Sequence, residues 1–144
     1  MEDRVVDETE LVDRAAFAGA RAELGSQIGR IVGYFREDGV KSVAAIAGAL
    51  RANDAAAMVR PAHTLKGESR QLGAELLGDL CETIEDIART CVETHDAPDE
   101  ALEHVIRLKP VFEATLAILE RESNPLVERR PVFGGGFGRR ATSG

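Results

Sequence analysis

The fold and the function are organised around one stretch, Ala62-His63-Thr64-Leu65-Lys66-Gly67-Glu68-Ser69-Arg70-Gln71-Leu72-Gly73. Wound as an α-helix at about 100° per residue, this stretch and the turn before it place apolar or small side chains within about 80° of one another. The residues of this predicted buried face are Met58, Ala62, Leu65, Ser69 and Leu72. His63 falls nearly opposite that face. The phase therefore predicts a histidine that is presented to solvent.

Four residues share the side of the helix that carries His63, at spacings of three, four, seven and eight: Lys66, Gly67, Arg70 and Gln71. An imidazole is nucleophilic and exchanges protons near neutral pH. A lysine one turn away supplies a mobile positive charge that suits phosphate oxygens. A glycine inside a helix costs about 1 kcal/mol relative to alanine, so Gly67 needs a reason. We interpret it as clearing the surface for another molecule to approach.

Three cations surround His63 in this prediction, namely Arg60, Lys66 and Arg70, although the chain has a net charge of −7. A solvated helix face is the simpler explanation of such a patch. Because the patch is centred on His63, we interpret it as a docking surface for an acidic partner that carries phosphate. The negative net charge argues against nucleic acid as that partner.

The run His63-Thr64-Leu65-Lys66-Gly67, followed by Gln71-Leu72-Gly73, resembles the signature of histidine phosphotransfer (HPt) domains of bacterial phosphorelays. The resemblance continues through Leu76, Leu80 and Cys81, and Ile84-Glu85 stands in place of the family's Leu-Glu pair. The resemblance covers about residues 11–122, but it is weak outside the motif. Two residues depart from the pattern: Pro61 precedes the histidine, and Glu68 replaces the small residue that usually follows the glycine.

The resemblance implies that His63 is phosphorylated by attack of Nε2 on the aspartyl phosphate of a receiver domain. The partners would be receiver domains of hybrid histidine kinases and response regulators, and Mg²⁺ would be supplied by the receiver, with no cofactor in this chain. Lys66 is our candidate for neutralising charge on the transferring group, with Arg70 the weaker one. Gln71, two turns along the same face, is the candidate to hold the other ring nitrogen.

Two other functions stay open at this point. One is a phosphotransfer domain of the chemotaxis-kinase type, which receives its phosphate from an ATP-using kinase domain. The other is a helical adaptor that is never phosphorylated. The chain has neither a P-loop nor a resemblance to the ATP-binding domain of a sensor kinase, so we expect a phosphocarrier without ATP-dependent kinase activity of its own. Whether it should be classed as an enzyme stays open. The three histidines and two cysteines have no spacing typical of a metal site.

Hydrophobic periodicity predicts an all-α, up-down four-helix bundle with a short extra N-terminal helix. The expected helices end near Leu24, Ala52, Gly73, Thr94 and Glu122. Asp13, Ser26 and Asp54 are the expected helix caps. Leu102 is expected among the inward residues of the last helix. Kinks are expected at Pro61 and Pro110, although the third helix could instead begin near Pro61. Residues 1–10 are predicted to be a loose lead, 11–124 the bundle and 125–144 a disordered tail.

Composition supports a globular protein, with 44% hydrophobic and 30% charged residues. No apolar run approaches the roughly 20 residues of a membrane span, and the N-terminus lacks the pattern of a secretory signal. Cys81 and Cys91 would lie about 15 Å apart on one helix, too far to form a disulfide. We therefore expect a cytoplasmic monomer that binds neither membrane nor nucleic acid.

Overall fold

The computed structural model describes residues 8–123, and this part of the chain is helical with no strand. The helices are α1 (Glu8–Leu11), α2 (Arg14–Leu24), α3 (Ile28–Arg51), α4 (Ala55–Gln71), α5 (Glu75–Thr94) and α6 (Leu102–Ser123). Short 3-10 turns, Gly25–Gln27 and Asp99–Ala101, lead into α3 and α6.

The four long helices form a closed ring of contacts, in which α4 packs between α3 and α5 and α6 packs between α5 and α3. Short connections make successive helices antiparallel, which is the up-down topology. The predicted four-helix bundle is confirmed. His63 on α4 lies beside α5, so α3 and α6 form the opposite side of the bundle.

The N-terminal part differs from the prediction, because two short helices precede the bundle. Residues 8–10, which we expected in a loose lead, belong to α1, and this helix packs on α5 and α6. Leu11 and Val12 are buried there, which explains why the segment is ordered. Residues 1–7 and 124–144, with the predicted tail, lie outside the described residues.

Two of the three predicted helix caps are confirmed. Asp13 Oδ1 accepts a hydrogen bond from the Ala16 amide at 3.1 Å, and Asp54 Oδ1 accepts one from the Ala57 amide at 3.0 Å. The prediction for Ser26 is wrong. Ser26 lies within the 3-10 turn, and the backbone is already right-handed at Gln27, just before α3 begins, so no side-chain cap is used.

Both internal prolines lie within continuous helices. Because α4 starts at Ala55, the alternative start near Pro61 is excluded. Pro61 lacks the N–H that would bond to the carbonyl of Ala57, and Pro110 interrupts α6 in the same way. The kinks expected at these two positions stay predictions.

The core is built mainly from aliphatic side chains of all four long helices, as the shortage of aromatic residues predicts. Phe35 of α3 and Phe112 of α6 meet with their ring centroids 5.5 Å apart. Phe112 also lies directly against Gly39, where a β-carbon would collide with its ring. Leu102, expected to face inward, is 52% exposed, because the 3-10 turn before it places Ala101 in the buried position instead.

The turn between α4 and α5 depends on Gly73, which has a φ of +82° and ends the helix close to the predicted position. The Asp13 amide donates a hydrogen bond to the Gly73 carbonyl at 2.8 Å. A β-carbon at Gly73 would lie 3.0 Å from the Asp13 carbonyl oxygen. The turn is therefore packed against the start of α2.

Candidate functional site

His63 projects from the middle of α4 with 61% of its side chain exposed. The five residues predicted to form the opposite, buried face are at most 1% exposed. The helical phase thus correctly predicted which side of α4 carries the histidine.

The ring of His63 is held from the neighbouring helix. Its Nδ1 lies 3.0 Å from Oε2 of Glu85 on α5, and the Glu85 side chain is only 4% exposed. A carboxylate accepts hydrogen bonds, so Nδ1 carries the hydrogen in this contact. In a neutral imidazole the other nitrogen, Nε2, then carries the lone pair. The contact selects the tautomer in which Nε2 is the nucleophile.

Glu85 is kept ionised by two cations. Lys66 Nζ lies 2.8 Å from its Oε1, and Arg89 places Nε and Nη2 at 2.9 and 2.8 Å from its Oε2. Burial alone would raise the pKa of Glu85, but Lys66, Arg89 and His63 outweigh it and lower the pKa to about 2. Glu85 is therefore a fixed negative charge at neutral pH.

Lys66 contacts the same carboxylate as His63 and is 21% exposed. The sequence predicted a mobile charge on the same face as the histidine. The structure instead ties the ammonium group to Glu85, which restrains it close to the ring. The long lysine side chain still reaches the surface beside His63.

Arg70, the third cation of the predicted patch, is paired with carboxylates of α5, and its roles in docking and in charge neutralisation stay predictions. Its guanidinium turns toward α5, with Nη2 2.8 Å from Asp79 and 2.6 Å from Glu82. Gly78 makes this possible, because a β-carbon there would lie 2.8 Å from Cγ of Arg70. Arg70 therefore connects α4 to α5, and its charge is already paired.

Gln71 is also not the ring-holding residue that we predicted. It is the last residue of α4 and is exposed, while the nitrogen assigned to it is held by Glu85. The reason is geometric. Glu85 lies on the neighbouring helix and reaches the ring, whereas Gln71 lies two turns farther along α4 and does not. The predicted role of Gln71 in docking stays a prediction.

Arg60 and Gly67 occupy the surface around His63. Arg60 is exposed and helps to line a groove of about 460 Å³ between α3 and α4. Gly67 is exposed, and a β-carbon added there would meet no atom within 4 Å. The glycine is therefore not required by packing within residues 8–123. The roles of Arg60 and Gly67 in docking stay predictions.

Glu68 departs from the usual pattern and is partly buried against α3, close to the carboxyl group of Asp38. Burial raises the pKa of Glu68 to about 7, and the neighbouring carboxyl group of Asp38 acts in the same direction.

The residue roles that sequence reasoning missed are those of Glu85 and Arg89. A signal was present, because Glu85 falls on the apolar stripe of α5 beside Cys81, Ile84 and Ala88. A carboxylate on a buried face requires a partner of opposite charge or a hydrogen-bond donor. Arg89 follows it by one helical turn, the spacing at which such pairs form.

Within residues 8–123, no group of three or more His, Cys, Asp or Glu side chains is placed to hold a metal ion. In the same part of the chain, none of the helices is both long and apolar enough to cross a membrane.

Comparison with known proteins identifies the family. The sequence profile described as "Hpt domain" matches residues 30–122. The chain belongs to the Hpt domain family. Hpt domains carry out histidine phosphotransfer in phosphorelays together with receiver domains and histidine kinases. The matched range contains α4 and α5, and hence the whole His63–Glu85 pair.

A solved structure shows the same fold. The crystal structure of histidine-containing phosphotransfer protein B (HptB) from Pseudomonas aeruginosa PAO1 superposes with a TM-score of 0.69 at 23% identity. The match covers 78% of this chain and 94% of that one. No curated protein sequence shows a significant match to this chain.

Proposed function

We propose that this Hpt domain protein is a phosphorelay intermediate, which accepts a phosphoryl group on His63 from a receiver-domain aspartate and passes it to another response regulator. The observation that carries the proposal is the pairing of an exposed imidazole with a buried, ionised carboxylate at Nδ1. This arrangement leaves Nε2 accessible and in its nucleophilic tautomer.

Transfer would proceed by in-line attack of the Nε2 lone pair on phosphorus. The Nε2–P bond forms as the bond from phosphorus to the aspartyl oxygen breaks, and the leaving carboxylate takes the bonding electrons. Nδ1 keeps its hydrogen throughout, so the phosphorylated ring gains a positive charge. Glu85, 3.0 Å away, stabilises that charge by its own negative charge.

Lys66 would act on the phosphoryl group while remaining near Glu85. The loose transition state of phosphoryl transfer spreads negative charge over the equatorial oxygens. An ammonium group next to the ring can stabilise this charge as it develops. The Mg²⁺ for the reaction would belong to the receiver domain and would supply further charge neutralisation there.

The reaction is reversible in this proposal, because the Nε2–P bond and the bond from phosphorus to the aspartyl oxygen exchange in either direction. Gly67 would leave room for the receiver domain to approach the ring. Arg60, at the rim, would contribute to docking through its charge.

The test is transfer from phosphorylated receiver domains to the purified protein. We expect phosphate that is labile to acid and stable to base, which is typical of phosphohistidine. His63→Gln should abolish acceptance with little change in the melting temperature, because the side chain is mostly exposed. His104, a half-buried histidine of α6, provides the control, and His104→Gln should accept phosphate normally. Acceptance by His63→Gln would overturn the proposal.

A second assay separates this function from the two alternatives. A kinase-fed domain would accept phosphate from an ATP-using kinase domain but from no receiver domain. An adaptor would accept phosphate from neither source. The proposal requires transfer from a receiver domain to His63 and from phosphorylated His63 to a second receiver.

A further inference from the structure

A second surface lies on the opposite side of the bundle from His63. Between α3 and α6 is a groove of about 650 Å³, lined mostly by apolar side chains. Its charged lining residues are Arg36, Arg51, Lys109 and Glu113, and its apolar lining residues include Val40 and Val105. The α3 part of this lining spans residues 36–51, which corresponds to about 22 Å along the helix.

Apolar surface continues beyond the walls of this groove. The exposed large hydrophobic side chains of the described residues include Val40 at 55%, Leu102 at 52% and Ile106 at 64%. Val40 lines the groove, and Leu102 and Ile106 precede lining residues of α6 by three. Exposed apolar side chains beside an apolar groove are typical of a surface that contacts another macromolecule. A small ligand within the groove would leave Leu102 and Ile106 uncovered.

The charges at the groove favour an acidic occupant. Three of the four charged lining residues are cations, although the chain as a whole carries a net charge of −7. Arg36 is already held by Glu120 through two hydrogen bonds. Arg51 and Lys109 form no ion pair with any residue between 8 and 123. Their charges are available to an incoming carboxylate.

The same charges disfavour the C-terminal segment of this chain as the occupant. Residues 124–144 contain apolar side chains but carry four arginines and one glutamate. Such a segment would add positive charge beside Arg51 and Lys109. An acidic partner would instead gain charge-assisted contacts at the rim.

We propose that the α3–α6 groove binds an acidic amphipathic helix of a partner protein, with its apolar side chains between Val40 and Val105 and its carboxylates at Arg51 and Lys109. A helix of about 15 residues matches the length of the groove. Because α4 and α5 lie on the other side of the bundle, this partner binds while His63 stays accessible to receiver domains.

The test uses the full-length protein and two labelled synthetic peptides of 16 residues. Both carry leucine at alternating spacings of three and four; the remaining positions are mainly glutamate in one and lysine in the other. We expect the glutamate peptide to bind at least tenfold more tightly by fluorescence anisotropy. Equal affinity for the two peptides, or no binding of the glutamate peptide, would overturn the proposal.

Matched variants locate the binding site. Ala44 and Ala45 are adjacent exposed residues of α3, but only Ala44 lines the groove. Ala44→Glu should weaken binding of the glutamate peptide at least tenfold, whereas Ala45→Glu should leave it within twofold. The double change Arg51→Glu with Lys109→Glu should reverse the preference toward the lysine peptide. Equal loss in both alanine variants would contradict the assigned site.

Other occupants give different results. Binding of dodecanoate without binding of the peptide would identify a small amphiphile and overturn the proposal. A dimer in sedimentation velocity that is lost in Ala44→Glu would identify a second copy instead. Receiver-to-His63 transfer is then measured with the glutamate peptide at saturation and should change by less than twofold. Inhibition would place the peptide on the His63 face and overturn the proposal, while transfer without the peptide tests the phosphorelay function separately.

Discussion

Glu85 Oε2 lies 3.0 Å from Nδ1 of His63, although the two residues are on different helices and 22 positions apart. The carboxylate is buried and the imidazole is exposed. The Nδ1 side of the ring is therefore fixed by a buried group, while most of the imidazole is exposed to solvent.

Removing this carboxylate should change the chemistry of the ring. We expect Glu85→Ala to lower the rate of phosphoryl transfer at least about tenfold, because Nδ1 loses the acceptor that fixes its hydrogen. Nitrogen NMR of His63 should show a smaller population of the tautomer with hydrogen at Nδ1. Glu85→Gln keeps an acceptor oxygen and should retain more activity. Wild-type transfer by the alanine variant would show that the contact has no role in reactivity.

Lys66 and Arg60 should differ in the step that they affect. Lys66→Ala should lower the transfer rate even at saturating receiver domain, because stabilisation grows as charge develops in the transition state. Arg60→Ala should slow association, and this defect should shrink as salt rises. Rapid-quench kinetics at low and moderate salt separate the two effects. If Lys66→Ala matches wild type at saturation, the lysine is a docking charge.

Two glycines of the α4 region should respond in opposite ways to alanine. Gly67→Ala should stabilise the protein by about 0.5–1 kcal/mol, because the glycine lies in a helix and its β-carbon meets no atom. Gly73→Ala should destabilise it by about 1 kcal/mol or more, because φ is +82° there. Urea unfolding measures both.

Gly67→Leu extends the same comparison to function. Its bulk should slow transfer by obstructing the receiver domain. Unchanged transfer would count against the role of Gly67 in clearance.

Glu68 should make the protein less stable as pH rises. The pKa of Glu68 in the folded protein, about 7, lies above the ordinary value of 4.5. Its contribution to the free energy of unfolding is therefore present below pH 4.5 and is lost as pH rises through 7. Glu68→Gln should therefore raise the free energy of unfolding relative to wild type more at pH 8 than at pH 4.5. Chemical denaturation across this range checks the expectation. A difference that does not vary with pH would contradict it.

The contribution of Glu85 to the stability of the protein has the opposite dependence on pH. Its folded pKa of about 2 lies below the ordinary value, so its contribution is present above pH 4.5 and is lost as pH falls through 2. The difference in unfolding free energy between wild type and Glu85→Gln should therefore shrink from pH 5 to pH 2.

The sequence contained enough information for the helices, the bundle and the exposure of His63. Each of these follows from periodicity along one helix, where Leu65 and Leu72 mark the buried side and His63 lies opposite. Gly67 was likewise assigned to open surface, because its neighbours on α4 fix the face on which it lies.

The contacts between helices were harder to predict. Gln71 and Arg70 share a face with His63 along α4, but which atoms meet depends on how α5 packs against that face. Arg70 turns away because Gly78 leaves space and Glu82 offers a carboxylate. Glu85 reaches the ring from a buried position that no spacing within α4 reveals. Charged residues on an apolar stripe are therefore the sequence signal to examine for such sites.

The hydrogen bond between Asp13 and Gly73 has a consequence for the boundaries of the working unit. The family match begins at residue 30, yet Asp13 holds the turn that joins α4 to α5. That turn sets the register in which His63 faces Glu85, and a slip of one residue would move the carboxylate by about 1.5 Å along the helix axis. The N-terminal helices lie outside the range of the family match, yet Asp13 links them to the turn that positions His63 beside Glu85.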